Sequence, residues 1–73
     1  MSIREQLEEL TEKAEEYVAY RDALYTAYDA ITDAEAECPS GMAFSHHAEM
    51  EISECIAEVE EKIQNIQGML GSL

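Results

Sequence analysis

From Ile3 to Glu35 one repeat runs without a break: Ile3, Leu7, Leu10, Ala14, Tyr17, Arg21, Leu24, Tyr28, Ile31 and Glu35 recur in alternating steps of four and three. That spacing is the seam of an amphipathic helix, and no Gly or Pro interrupts it. Val18 and Tyr25 each follow a seam position and widen the line into a core-facing stripe. The opposite face is acidic, carrying Glu5, Glu8, Glu9, Glu12, Glu15, Glu16, Asp22, Asp29, Asp33 and Glu37. Ser2 with Glu5 forms a capping box at the start. Pro39 ends the helix, because it disfavours helical backbone at the residue before it. The first helix is therefore expected over residues 2–38.

Pro39, Ser40 and Gly41 form a breaker cluster, and the turn is expected over residues 39–44. A second stripe follows, with Ile52, Ile56, Val59, Ile63, Ile66 and Leu70 again in steps of four and three, flanked by Ala48, Cys55 and Met69. It predicts a helix over residues 45–70 with Ser40 or Ser45 as its cap, ending near Gly68 and Gly71. A short connection makes the two helices antiparallel neighbours. The expected fold is all-α, one domain spanning residues 1–73. Two helices that each bury one stripe leave a surface open, so two hairpins are expected to dimerise into a four-helix bundle. Arg21, inside the first seam, is expected to pair with an acid across it and fix register. Tyr17, Tyr20, Tyr25 and Tyr28 are expected against the second helix or a dimer mate.

The net charge of −13 over 73 residues restricts function more than the fold does. It excludes nucleic acid as a direct ligand and favours a basic partner. A hydrophobic content of 47% is too high for a disordered acidic tail. Met1 leads straight into charged helix, and no apolar run is long enough to span a bilayer, so neither a secretory leader nor a membrane anchor is expected. The two cysteines then read as reduced thiols in a cytoplasm. Cys38, His46, His47 and Cys55 have no structural zinc spacing, and no nucleophile with an orienting base or phosphate loop is present. Neither catalysis, nor a cofactor, nor a bound metal is expected.

Like charges stack at helical i,i+4 spacing: Glu5 with Glu9, Glu8 with Glu12, Glu12 with Glu16, Asp29 with Asp33, Asp33 with Glu37 and Glu54 with Glu58. Each such pair costs roughly 0.2–0.5 kcal/mol in an isolated helix. Only Glu9–Lys13 and Glu58–Lys62 run in the favourable sense. A face tuned for solubility alone would intersperse lysines, so the negative field has a use. Carboxylates at this spacing lie about 5–6 Å apart, comparable to phosphates along a DNA strand.

In length, acidity and absence of catalytic motifs the chain resembles the small phage and plasmid proteins that mimic DNA, among them the uracil-DNA glycosylase inhibitors. Those inhibitors carry a Glu-Ser-Ile-Leu stretch on a β scaffold, whereas the nearest stretch here, Ile52-Ser53-Glu54-Cys55-Ile56, has another order and lies on a helix. The resemblance therefore implies a strategy and not a set of contact residues. Carboxylates imitate phosphates, and an apolar element engages a group the enzyme would insert into DNA. The expected partner is a basic DNA-binding protein or DNA-repair enzyme. The acids assigned to the contact are those of both helices near the turn: Asp29, Asp33, Glu37, Glu49, Glu51, Glu54 and Glu58. The apolar element is Met42, Phe44 and Met50. Two other readings are a coiled-coil adaptor whose acidity only confers solubility, and an antitoxin-like subunit that masks a basic protein.

Overall fold

A computed structural model describes residues 2–72, and among them the chain is all-helical, with two helices and no strand. Helix α1 runs Ile3–Ala36 and helix α2 runs His47–Ser72. Their neighbours run in opposite senses: Leu10 lies beside Ile66 and Met69, Tyr17 beside Val59 and Lys62, and Tyr28 beside Met50 and Ser53. The hairpin is a rod with Cα extents of 61 × 15 × 14 Å. None of the described helices is long and apolar enough to cross a membrane.

Ser2 has extended backbone and caps α1, its hydroxyl accepting from the Glu5 N–H at 3.2 Å. At the other end α1 stops at Ala36, two residues before the expected boundary at Cys38. The N–H of Glu37 is shared between the carbonyls of Asp33 and Ala34, each at 3.2 Å, and Cys38 N–H reaches Glu35 at 3.1 Å. These are the tightened bonds of a last turn. Pro39 brings no N–H to extend the ladder and excludes helical backbone at Cys38, so unwinding begins upstream of it.

Next, Met42 N–H bonds the Pro39 carbonyl at 3.2 Å, closing a turn in which Gly41 holds φ +96°. A side chain at Gly41 would strain that left-handed backbone. The connection continues through His46, and α2 begins at His47 instead of near Ser45. The His46 carbonyl accepts the first helical bond, from Met50 N–H at 3.1 Å, while the Ser45 hydroxyl accepts from His47 N–H at 3.4 Å. At its far end α2 passes through Gly68 and Gly71 to Ser72, beyond the expected stop near residue 70. Glycine inside a helix costs only about 1 kcal/mol relative to alanine. Burial of Ile66 and partial burial of Leu70 offset that cost.

The core is thin and lopsided. Ile56, Val59, Ile63 and Ile66 of α2 are buried, while no residue of α1 is. The α1 stripe (Leu10, Ala14, Tyr17, Val18, Leu24, Ile31) is half-buried, and Ile3 and Leu7 at its start are exposed. The asymmetry follows from composition. The α2 stripe is all branched aliphatics, whereas α1 interleaves its aliphatics with the small Ala14 and with Tyr17, Arg21 and Tyr28, whose polar ends stay in water. A single partner helix covers the centre of a stripe more than 100° wide and leaves its margins in water.

Arg21 does not cross the seam as expected. It is half-buried, and its guanidinium meets Asp22 of its own helix at 3.5 Å. Across the hairpin the polar tie is instead Tyr25, whose hydroxyl donates to the Glu60 carboxylate. That bond, followed by partial burial and the Glu60 charge, raises the Tyr25 pKa above its usual value.

Candidate functional site

Two surfaces stand out on the rod, one at each end. At the turn end, the assigned acids fall into distinct settings. Asp29, Asp33, Glu51 and Glu54 are exposed on the two helices, and Glu37 is exposed as the C-cap of α1. Glu35 and Glu37 both sit at the negative end of the α1 dipole, and no basic residue occupies its last turn to compensate. Glu58 lies away from the turn, beside Tyr17, Tyr20 and Lys62 at mid-rod. Glu49 is half-buried and already partnered: its carboxylate lies 3.1 Å from His46 Nδ1.

His46 is the residue that sequence reading missed. Its Nε2 lies 3.7 Å from the Glu35 carboxylate at the end of α1, while Nδ1 faces Glu49 in the first turn of α2. One ring thus ties the two helices across the connection. The Glu49 hydrogen bond, then the Glu35 charge, raise the His46 pKa from the ordinary histidine value of 6.5. A His three residues before a Glu at a helix start was the available local signal. Nothing local pointed to Glu35, the last seam position, as the second acid. Beside it, His47 pairs within α2 with Glu51 at 2.9 Å.

Glu35, His46 and Glu49 also offer one donor atom each within 4.8 Å of one another, a set able to share a divalent cation with water completing the shell. The cysteines stand apart from this set. Cys38 Sγ faces the carbonyls of Pro39 and Met42 within the connection, Cys55 is half-buried at mid-rod, and both are free thiols.

Because the folded state holds a raised pKa, the His46 clasp contributes fully below the unfolded value near 6.5 and is lost as pH rises through the folded one. Replacing Glu49 with Gln is expected to bring the His46 titration, followed by NMR, back down towards the ordinary value. An unmoved titration would show that the acid does not act on the ring.

The three apolar candidates also differ. Met42 in the connection is 68% exposed and Met50 on α2 is 63% exposed. Met50 borders a shallow depression shared with Tyr28, Ser53 and Glu54. Phe44 is half-buried and packs edge-on against His46, with ring centroids 5.4 Å apart at 72°. It closes the turn and does not project from it. The geometry thus gathers Asp33, Glu37, Met42, Glu51 and Glu54 as exposed groups on or near the turn end, and diverts Glu49 and Phe44 into the clasp.

The second surface is a groove along the open end, between the first half of α1 and the second half of α2. Its stretch near the termini is bordered by Gln6, Glu9, Leu10, Asn65, Met69 and Ser72. It continues past Lys13, Tyr17, Lys62 and Ile66, and ends at Tyr20, Cys55, Glu58 and Val59. Tyr20 and Met69 expose about half of their surface there, 52% and 50%.

Compared with known families, with curated proteins and with solved structures, the chain matches none.

Proposed function

We propose that this chain is an acidic inhibitor that mimics DNA and occupies the DNA-binding site of a DNA-processing enzyme, with uracil-DNA glycosylase the first target to test. The observation that carries the reading is that its field is left unneutralised along an extended rod. Among the described residues only Asp22 has a lysine or arginine within 4 Å. A charge of −13 held this way is costly to the fold and useful to a partner whose groove is built for a polyanion. The exposed acids about the turn supply the field, and Met42 with Met50 supply apolar contact, since methionine adapts to irregular surfaces. Two hairpins pair into a four-helix bundle in this reading, and the half-open α1 stripe supports that pairing. The setting is cytoplasmic, with both thiols reduced, and the protein performs no chemistry itself.

The same half-open stripe favours a second reading, a coiled-coil adaptor that assembles with a helical partner. Ionic strength separates the two. Glycosylase activity on a uracil-containing duplex is expected to fall as the chain is added at low salt, competitively with duplex, and to recover as salt rises. An enzyme that binds duplex and hairpin simultaneously, neither affecting the other, would discard mimicry for this target.

A further inference from the structure

Where the two helices meet the connection, the fold gathers a donor set that spacing along the chain does not display. Glu35 closes the α1 seam, His46 ends the connection and Glu49 lies in the first turn of α2. One donor atom from each stands within 4.8 Å of the other two. The ring's Nδ1 is 3.1 Å from a Glu49 oxygen, and its Nε2 is 3.7 Å from a Glu35 oxygen. Ligands bound to one zinc-like ion at about 2.0–2.2 Å stand roughly 3–3.5 Å from each other. Rotamer adjustments of these side chains are enough to close the set. The Glu35 and His46 side chains are 42% and 58% exposed, which gives an ion a path in, whereas that of Glu49 is 16% exposed and held in place. Repulsion points the same way. Two carboxylates converge at the negative end of the α1 dipole in a chain of net charge −13. Among the described residues neither has a lysine or arginine within 4 Å.

We propose that Glu35, His46 and Glu49 bind one divalent metal ion of the zinc class, which clamps the end of α1 to the start of α2. One ring nitrogen and one oxygen of each carboxylate ligate the ion, and water completes its shell. Any proton on the ligating nitrogen passes to solvent as the ion takes its place. The donor chemistry sets the class of ion. An imidazole suits zinc, cobalt or nickel, whereas magnesium and calcium take oxygen alone. Cys38 adds no thiolate, since its Sγ lies towards the Pro39 and Met42 carbonyls. The neighbouring ring makes a poorer site: His47 has Glu51 at 2.9 Å on its own helix and, among the described residues, no third donor. Glu35 and Glu49 belong to different helices, so an ion shared between them holds the hairpin closed at the turn. In the unfolded chain they are 14 positions apart and form no such pocket, so binding and folding reinforce each other. The site uses none of Asp33, Glu37, Glu51 and Glu54, and it stands apart from the question of mimicry.

Calorimetric titration of the untagged full chain with zinc chloride at neutral pH tests this directly. One ion is expected to bind per chain, and cobalt(II) is expected to compete with zinc for it. Magnesium and calcium at equal concentration are expected not to compete. With zinc at about a hundred times its dissociation constant, the thermal midpoint is expected to rise by on the order of 10 °C. Loss of an outer-shell partner already costs a metal site roughly tenfold in affinity. His46→Ala and Glu35→Gln, which each remove a ligand, are therefore expected to weaken zinc at least about tenfold and to abolish the rise in midpoint. Glu35→Gln keeps the size of the side chain, and circular dichroism confirms that each variant stays helical. His47→Ala is expected to leave zinc affinity unchanged. Zinc that binds no more tightly than magnesium would be only a loose atmosphere about the acids, and would overturn the site. A loss on His47→Ala equal to that on His46→Ala would overturn it too. So would affinity indifferent to Glu35→Gln, since no ion would then bridge the two helices.

Discussion

Replacing Ile63 with Ala is expected to abolish the cooperative thermal transition of the hairpin or to move its midpoint down by tens of degrees. Ile63 is 4% exposed and is one of only four buried side chains among the described residues. An Ile→Ala change in a core costs about 2–5 kcal/mol, the larger values where the site cannot collapse. By the usual per-residue range a chain of this length has roughly 4–11 kcal/mol in total. A core of four side chains, carried against the repulsion of unpaired carboxylates, belongs at the low end. The loss is therefore comparable to the whole stability. Met50→Ala, at a largely exposed site on the same helix, is expected to change stability by no more than about 0.5 kcal/mol. Circular dichroism melts of the two variants make the comparison. A midpoint for Ile63→Ala within a few degrees of the unaltered protein would mean that the four buried residues are not the core.

The second large effect is on association. Reversing Asp33, Glu37 and Glu54 to Lys together changes the field about the turn by six charges without touching the His46 clasp or the buried stripe. Stopped-flow association with the target at low salt is expected to slow by roughly 10–100-fold and to lose most of its salt dependence. Truncating Met42 and Met50 to Ala is expected to leave the association rate nearly unchanged and to speed dissociation, because apolar contacts form after encounter. Phe44 is a poor choice for that test. It packs on His46, so its removal would loosen the turn as well as any contact. Equal effects of both sets of variants on the two rates would show that field and contact are not separable.

Much of the architecture is legible from spacing. A step of three or four residues turns a helix through nearly a full revolution, so Ile3 to Glu35 and Ile52 to Leu70 each define one face whatever surrounds them. Pro39 and Gly41 mark the connection because their backbone preferences are intrinsic to the residues. These inferences are local, and they agree with two helices and no strand among the described residues. The helix ends are less legible. Pro39 acts on the turn before it, and the glycines near the end of α2 are held in the helix by packing whose strength spacing does not reveal.

What the sequence by itself determined is the pair of amphipathic helices, the acidity of their outer faces and the shortage of bases to neutralise it. The tertiary structure decided which groups are spent inside the molecule. Glu35 joins Glu49 on His46 and Tyr25 reaches Glu60, although nothing in their neighbours along the chain distinguishes Glu35 and Glu60 from Asp33 or Glu54. The groove at the open end has the same origin. Lys13 and Lys62 are 49 positions apart in the sequence and border one surface only because α2 folds back in a particular rotation about its own axis. Helix periodicity fixes a face relative to the helix that bears it. The meeting of two faces depends on the path of residues 37–46 and on how unequal side chains fit along the seam, quantities that no local spacing contains.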